Sequence, residues 1–280
     1  MADQNSKVGA HVSTAGGLFY GVEKAKLIGA SSIQIFGSSP RSWQRRAILA
    51  EEIEKFITAK DENLSGRVYI HACYLINFGS TKSELVARSI TSLAYDIELA
   101  NKIGAYGVVV HPGSLKDGTT LADIAANIRN VLGITTGAKV IVENSAGGGA
   151  SVPRTMEEVC NLIKLIDNPR AQVCIDTAHL WGFGIDISTK EKVDEFGKEL
   201  NDKLSGINVP IVHFNDSKVR LGSLLDRHEN IGNGQVGITG LKAIANLKFF
   251  KESDLVLEVP GFERSGPDEE NVTILRGLVE

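Results

Sequence analysis

KVIVENSAGGGASVPRTMEEVCNLIKLIDNPRAQVCIDTA, residues 139–178, holds one full period of the fold. It opens on a β-branched apolar run, KVIVEN (139–144), and closes on another, VCIDTA (173–178). Between them residues 155–166 have helical length, and Thr155 ahead of Glu157 and Glu158 reads as a cap before an acidic first turn. Strand, helix and strand in that order predict two parallel strands joined by a helical crossover. Both strand runs carry a carboxylate near their end, Glu143 and Asp176.

The same period recurs in both directions. VGAHVS (8–13), SIQIF (32–36), VYIHA (68–72), GVVVHP (107–112), PIVHFND (210–216) and LVLEVP (255–260) complete a set of eight strand runs. Residues 50–60, 82–103, 119–133, 189–204, 238–250 and 268–278 have helical spacing; in 82–103, Leu85, Ile90, Leu93, Ala94 and Ile97 fall near one face. Ser83 before Glu84 marks a helix start there. Eight such units in 280 residues predict an α/β fold, a single (β/α)8 TIM barrel spanning residues 1–280 as one domain. No linker or low-complexity segment interrupts it.

Composition agrees with a globular protein: 42% hydrophobic and 23% charged residues are ordinary values. The longest apolar runs, such as Val108-Val109-Val110, are strand-length, so no membrane partner is expected. The opening MADQNSKVGAHVS lacks the pattern of a signal peptide. Cys73, Cys160 and Cys174 are odd in number, far apart and without CxxC spacing, which reads as reduced thiols in a cytoplasmic protein.

Strand ends decide the chemistry. His71, His111, Glu143, Asp176 and His213 close five runs, and Glu258 lies near the end of the eighth. His179 follows Asp176 by three residues, and Asp226 and His228 lie in the loop after the seventh strand. A parallel barrel gathers its strand ends on one face, so residues 32–45 positions apart converge around one axis. A lone strand histidine is more often a satisfied core residue, and Asp176 or Glu258 alone could cap a strand end. Five of the six histidines with four carboxylates on one mouth is a different matter. Held together without metal, such a cluster carries heavy desolvation and repulsion costs. Imidazole with carboxylate suits zinc or manganese, and nine donors predict two or three ions with a bridging carboxylate. His11, ending the first strand, reads as a supporting residue rather than a ligand.

These segments resemble the endonuclease IV family of apurinic/apyrimidinic endonucleases, within the xylose isomerase-like barrels. The matching stretches are GAHVSTAGGL (9–18), HACYLINFGS (71–80), HPGS (111–114), VIVENSAGGG (140–149), VCIDTAHLWGFGIDI (173–187), HFNDSK (213–218), DRHENIGNG (226–234) and LEVPG (257–261). The resemblance implies three zinc ions at the C-terminal ends of the strands. One takes His71, His111 and Glu143; a second takes Glu143, Asp176, His213 and Glu258; the third takes His179, Asp226 and His228. Glu143, the bridge, is the residue given a catalytic part. Arg41, Tyr74 and Arg227 correspond to family contacts with DNA. Leu115 after HPGS, Val259 after Glu258 and the SSPRSW form of the loop around Arg41 depart from the usual pattern and bear on DNA contacts, not on the ligand set.

The implied activity is hydrolysis of the phosphodiester 5′ of an abasic site in double-stranded DNA, leaving a 3′-hydroxyl and a 5′-deoxyribose phosphate. Blocked 3′ ends are further expected substrates, and the enzyme is expected to act as a monomer at the nucleoid. Divalent ions offset charge on the attacking and leaving oxygens. A formal charge of −4 argues against a nucleic-acid binder, but three divalent cations would carry it to +2. Arg41, Arg45 and Arg46 are expected to add a positive patch beside the mouth. The alternative is a divalent-metal sugar isomerase or epimerase of the same barrel type, for which Glu143, Asp176, His213 and Glu258 would suffice. His71, His111 and the DRH of 226–228 separate the two.

Overall fold

The computed structural model describes residues 7–280; the reading of the opening segment as free of a leader falls in part on residues 1–6, outside the described residues. Eight parallel strands close into a barrel: β1 (Val8–His11), β2 (Ser32–Phe36), β3 (Val68–His71), β4 (Gly107–Val110), β5 (Lys139–Glu143), β6 (Ala171–Asp176), β7 (Ile211–His213) and β10 (Asp254–Leu257). Neighbours pair in chain order, and β10 meets β1 through Val8↔Leu255 and Ala10↔Leu257. A two-residue antiparallel ladder, β8 (Asp216–Ser217) with β9 (His228–Glu229), stands in the loop after β7. Among the described residues no helix is long and apolar enough to cross a membrane.

The crossovers follow the expected periods: α2 (Ala50–Asn63), α3 (Ser83–Ile103), α4 (Leu121–Ile134), α5 (Met156–Ile166), α7 (Lys190–Lys203), α8 (Gly237–Ala245) and α9 (Glu269–Leu278). Thr155 caps α5, accepting from the Glu158 amide, and α3 starts at Ser83 as read from the sequence, with Glu84 in its first turn. The stretch 238–250 is shorter than a single helix: α8 stops at Ala245, and Lys248–Phe250 forms a separate 3-10 turn. Two further helices go beyond the sequence pattern. α1 (Leu18–Ile28) buries Leu18, Val22, Ala25 and Ile28, a clear helical stripe behind two glycines. α6 (Thr177–Phe183) starts directly on the end of β6, within a run that reads as strand.

Alternation along the strands separates two apolar regions. Outward residues pack beneath the helices in a large core. Tyr69, Val109, Ile141, Cys174, Ile211 and Val256 form a second cluster, the filling of the barrel. Two residues further along each of these strands come His71, His111, Glu143, Asp176, His213 and Glu258, so the period of two stacks these six ligand-type side chains one layer above the filling. On β1 the corresponding pair is Gly9 and His11. A Cβ on Gly9 would stand 2.9 Å from the Ser32 carbonyl oxygen and from Cγ2 of Val256, so only glycine leaves room there. The opposite end is closed by polar groups: the Tyr69 hydroxyl donates to Asp254 (2.5 Å) and lies 3.0 Å from the Pro210 carbonyl, with Arg67 beside them.

Candidate metal centre

All nine donors read from the sequence stand at the C-terminal mouth. His71, His111 and Glu143 bring one atom each within 4.8 Å of one another, as do Glu143, Asp176, His213 and Glu258. Asp176, His179 and His228 form a third group, and Asp226 closes on its two rings at 3.2 Å (His179 Nε2) and 3.0 Å (His228 Nε2). Glu143 is thus shared by two groups, and Asp176 by two. The sharing by Asp176 is new to the structure. Its Oδ1 caps α6 by accepting from the His179 amide (2.8 Å), and its Oδ2 lies 3.7 Å from Nε2 of His228.

Four of the five imidazoles, those of His71, His179, His213 and His228, are aimed through their other nitrogen. His71 Nδ1 lies 2.7 Å from the Ala72 carbonyl and His179 Nδ1 3.0 Å from that of Asn144; a carbonyl only accepts, so these nitrogens carry the hydrogen. Their Nε2 atoms then face Glu143 and Asp226. His213 is reversed: Nε2 donates to the Gln34 side chain (2.9 Å) and Nδ1 points into the cluster, 2.8 Å from Glu143. His228 Nδ1 approaches the Glu258 carbonyl (3.2 Å). Asn215 donates to Asp176 Oδ2 (2.8 Å) and accepts from the Glu258 amide (2.8 Å), while Asn144 accepts from the Asp176 amide (2.7 Å). Gln34, Asn144 and Asn215 are absent from the sequence reading. Gln34 is visible there as a polar residue on the inward face of an apolar strand, and the two amides as neighbours of ligand-type residues in ENS and HFND.

The arrangement fits divalent ions. Two donors each about 2.0–2.1 Å from a tetrahedral ion stand about 3.3 Å apart. His71 and His111 each approach Glu143 at 3.3 Å, and His213 approaches Glu258 at 3.3 Å. Nε2 of His179 and Nε2 of His228 are buried without a hydrogen-bond partner. Electrostatics point the same way. Burial pulls the His228 ring down, yet the Asp176 and Asp226 carboxylates outweigh it and hold it at about 9. Burial likewise opposes charge on His179 and His213, but Asp176, Asp226 and Glu143 raise the first, and Cys174, Glu258 and Glu143 the second, well above the usual range. Glu143, despite full burial, is held well below its ordinary value by His111, His213 and His179. His111 is lowered to about 4, chiefly by burial. Protons therefore offset the carboxylates where cations otherwise would. Cys174 also comes within reach of Glu143 and His213, but it belongs to the apolar filling one layer below the other donors.

Residues 22–277 match the xylose isomerase-like TIM barrel family. Endonuclease 4 of Thermus thermophilus is 36% identical over 98% of both chains. The probable endonuclease 4 of Halothermothrix orenii is 34% identical over 96% of this chain and 99% of its own. The chain belongs to the endonuclease IV family. The crystal structure of endonuclease IV from a second strain of Thermus thermophilus superposes with a TM-score of 0.86 at 34% identity, covering 97% of this chain and 98% of that one.

Around this endonuclease IV mouth the remaining side chains divide. Tyr74 is half exposed, its ring edge-on to His71 (5.6 Å) and Phe36 (5.5 Å). Arg41 and Arg227 are exposed on the loops after β2 and β7, and the Tyr74 amide donates to the Pro40 carbonyl (2.9 Å), tying the Arg41 and Tyr74 loops together. The expected positive patch is reduced to Arg41. Arg45 turns inward beneath its loop, bonding Ser92 and lying 3.7 Å from the buried Asp96 of α3, while Arg46 is engaged by Glu52. The Tyr95 hydroxyl also donates to the Arg46 carbonyl (2.7 Å). A loop with little backbone pairing is held by side chains, and that requirement takes both arginines. His11, the sixth histidine, donates from Nδ1 to Glu258 (2.7 Å), while its Nε2 is buried without a hydrogen-bond partner. A cavity of about 500 Å³ opens over His111, His179 and Asp226, walled by Tyr74 and Leu224, and a larger one of about 920 Å³ runs beside it past His11, Lys24, Ser39 and Arg46.

Proposed function

We propose that this enzyme is a zinc-dependent apurinic/apyrimidinic endonuclease, hydrolysing the phosphodiester 5′ of an abasic site to a 3′-hydroxyl and a 5′-deoxyribose phosphate. The observation that carries the reading is the pair of shared carboxylates, Glu143 and Asp176, each joining two groups of donors at the mouth of a barrel of the endonuclease IV family. Three zinc ions would be held by His71, His111 and Glu143, by Glu143, Asp176, His213 and Glu258, and by His179, Asp226 and His228. Bound there, they would supply an acidified water and offset the charge on the attacking and departing oxygens of the phosphate.

The chain's own residues do the rest. Gln34, Asn144 and Asn215 hold the donors in orientation, which spares reorganisation when substrate arrives. Arg41, Tyr74 and Arg227 would engage the duplex around the lesion. An abasic nucleotide has no base to unstack, so turning it into the 500 Å³ cavity beside Tyr74 costs little. We take the working form to be a cytoplasmic monomer.

The test is a duplex carrying one abasic-site analogue, incubated with zinc-loaded protein and sized on a gel. A single cut 5′ of the analogue, abolished by a chelator and restored by zinc, is the expected result. Intact duplex, together with an ion content of one or less, would instead point to the sugar isomerase chemistry of the wider barrel family.

A further inference from the structure

Asp216, the first residue of β8, is fully buried, and among the described residues no cationic side chain pairs with it. Its carboxylate is bound by backbone alone. Oδ1 accepts from the amides of Ser217 (2.8 Å), Val236 (3.0 Å) and Gly237 (3.4 Å), and Oδ2 from Gly232 (3.1 Å) and Gly234 (3.0 Å). Four of these donors belong to the segment that leaves the loop after β7, and the carboxylate itself to the segment that enters it. Asp226 and His228 hang between the two. Ser217 pairs with His228 across the β8–β9 ladder, and the Lys218 amide donates to the Arg227 carbonyl (2.9 Å). A ladder of two residues a side is not stable alone. Five backbone donors gathered on one anion give it a fixed base.

We propose that Asp216 is the positioning residue of the third metal group, fixing Asp226 and His228 opposite His179 without touching the ion. The inference rests on the three-ion reading above. Aspartate is required at this position rather than its amide. Both oxygens are engaged, so an asparagine in either orientation turns its NH2 toward two or more backbone N–H groups, donor against donor. Gly234 provides an independent handle: a Cβ there would collide with Asp216 Oδ1 and with the Ser217 carbonyl, displacing the carboxylate without removing it.

The experiment titrates zinc into metal-depleted parent, Asp216→Asn, Gly234→Ala and Asp226→Ala, reading bound metal by elemental analysis and folding by thermal melting. The parent is expected to fill three ions and Asp226→Ala two. Asp216→Asn and Gly234→Ala should also hold two at the zinc concentration that fills the parent. They should recover the third when free zinc is raised about 10- to 100-fold, the usual cost of losing a residue that orients a ligand. A residue that only stabilised the barrel would move the melting temperature and leave the stoichiometry alone, or lose all ions together. Should Asp216→Asn not fold, Gly234→Ala decides. Three ions in the variants at the parent's zinc concentration overturn the inference. A parent that never exceeds two, or an Asp226→Ala that loses none, overturns the three-ion reading itself.

Discussion

Oε1 of Gln34 accepts from Nε2 of His213 at 2.9 Å, and the Nε2 of the same amide donates to Glu258 at 2.7 Å. One buried side chain on β2 thus chooses which nitrogen of His213 faces the cluster and braces a carboxylate beside it. Gln34→Leu removes both constraints at similar volume. Metal affinity, measured by competition with a chromophoric chelator, is expected to fall about 10- to 100-fold. Parent-like affinity would show that the ring is oriented by its packing alone.

Glu143 stands between two groups, so Glu143→Gln takes a negative charge from both at once. Cleavage of an abasic duplex is expected to fall by at least about 100-fold, while the circular dichroism of the barrel is retained, because the apolar filling beneath it is untouched. Near-normal turnover by this variant would remove Glu143 from its shared position in the mechanism.

Arg41 and Tyr74 project from two loops joined by the Tyr74–Pro40 backbone bond. Arg41→Ala and Tyr74→Ala should each weaken binding to abasic duplex by about 1–3 kcal/mol, the range for contacts and stacking on nucleic acid. Zinc content and melting temperature should not change. The titration compares abasic and intact duplexes at one salt concentration, since phosphate contacts make affinity steeply salt-dependent. Equal affinity of both variants and the parent would move lesion sensing to Arg227 and its loop.

Asp254 lies at the far end of the barrel, where burial raises it from 3.8 to about 6 against the opposing pull of Tyr69 and Arg67. Its folded value exceeds its unfolded value, so the folded state binds the extra proton between about pH 4 and 6. Stability from this group is full below pH 4 and is lost as pH rises through 6. Asp254→Asn has no such loss. Its stability relative to the parent should therefore climb across this window, by roughly 3 kcal/mol at most for two pH units, and stay level above it. A difference between the two proteins that does not vary from pH 4 to 8 would mean that Asp254 keeps its charge beside Arg67.

Strand positions and the ligand-type residues are readable in the sequence because both follow one rule, the period of two along a parallel strand whose end faces the mouth. That rule puts His71, Glu143, Asp176 and His213 on strand ends, with His111 and Glu258 one residue beyond. What it cannot give is contact made by side chains on other elements. Arg45 looks like a surface cation in sequence, and only Ser92 and Asp96, on a helix some fifty residues away, turn it inward. The helix-capping part of Asp176, which reads as a ligand type, is not legible because one letter does not show that two carboxylate oxygens can do different things. α6 is hidden because a helix that begins on the last strand residue leaves no turn signal between them.

The bond from His11 to Glu258 joins the first strand of the barrel to the last, 247 residues apart in the chain. Donors for the central group come from β5, β6, β7 and the end of β10, so no shorter fragment emerging during synthesis contains the set. For that group the nascent chain would hold only an incomplete set of donors until β10 is made. Loading of the central group would wait until closure of the β1–β10 seam, and its filling would then be a record that the whole barrel has been completed.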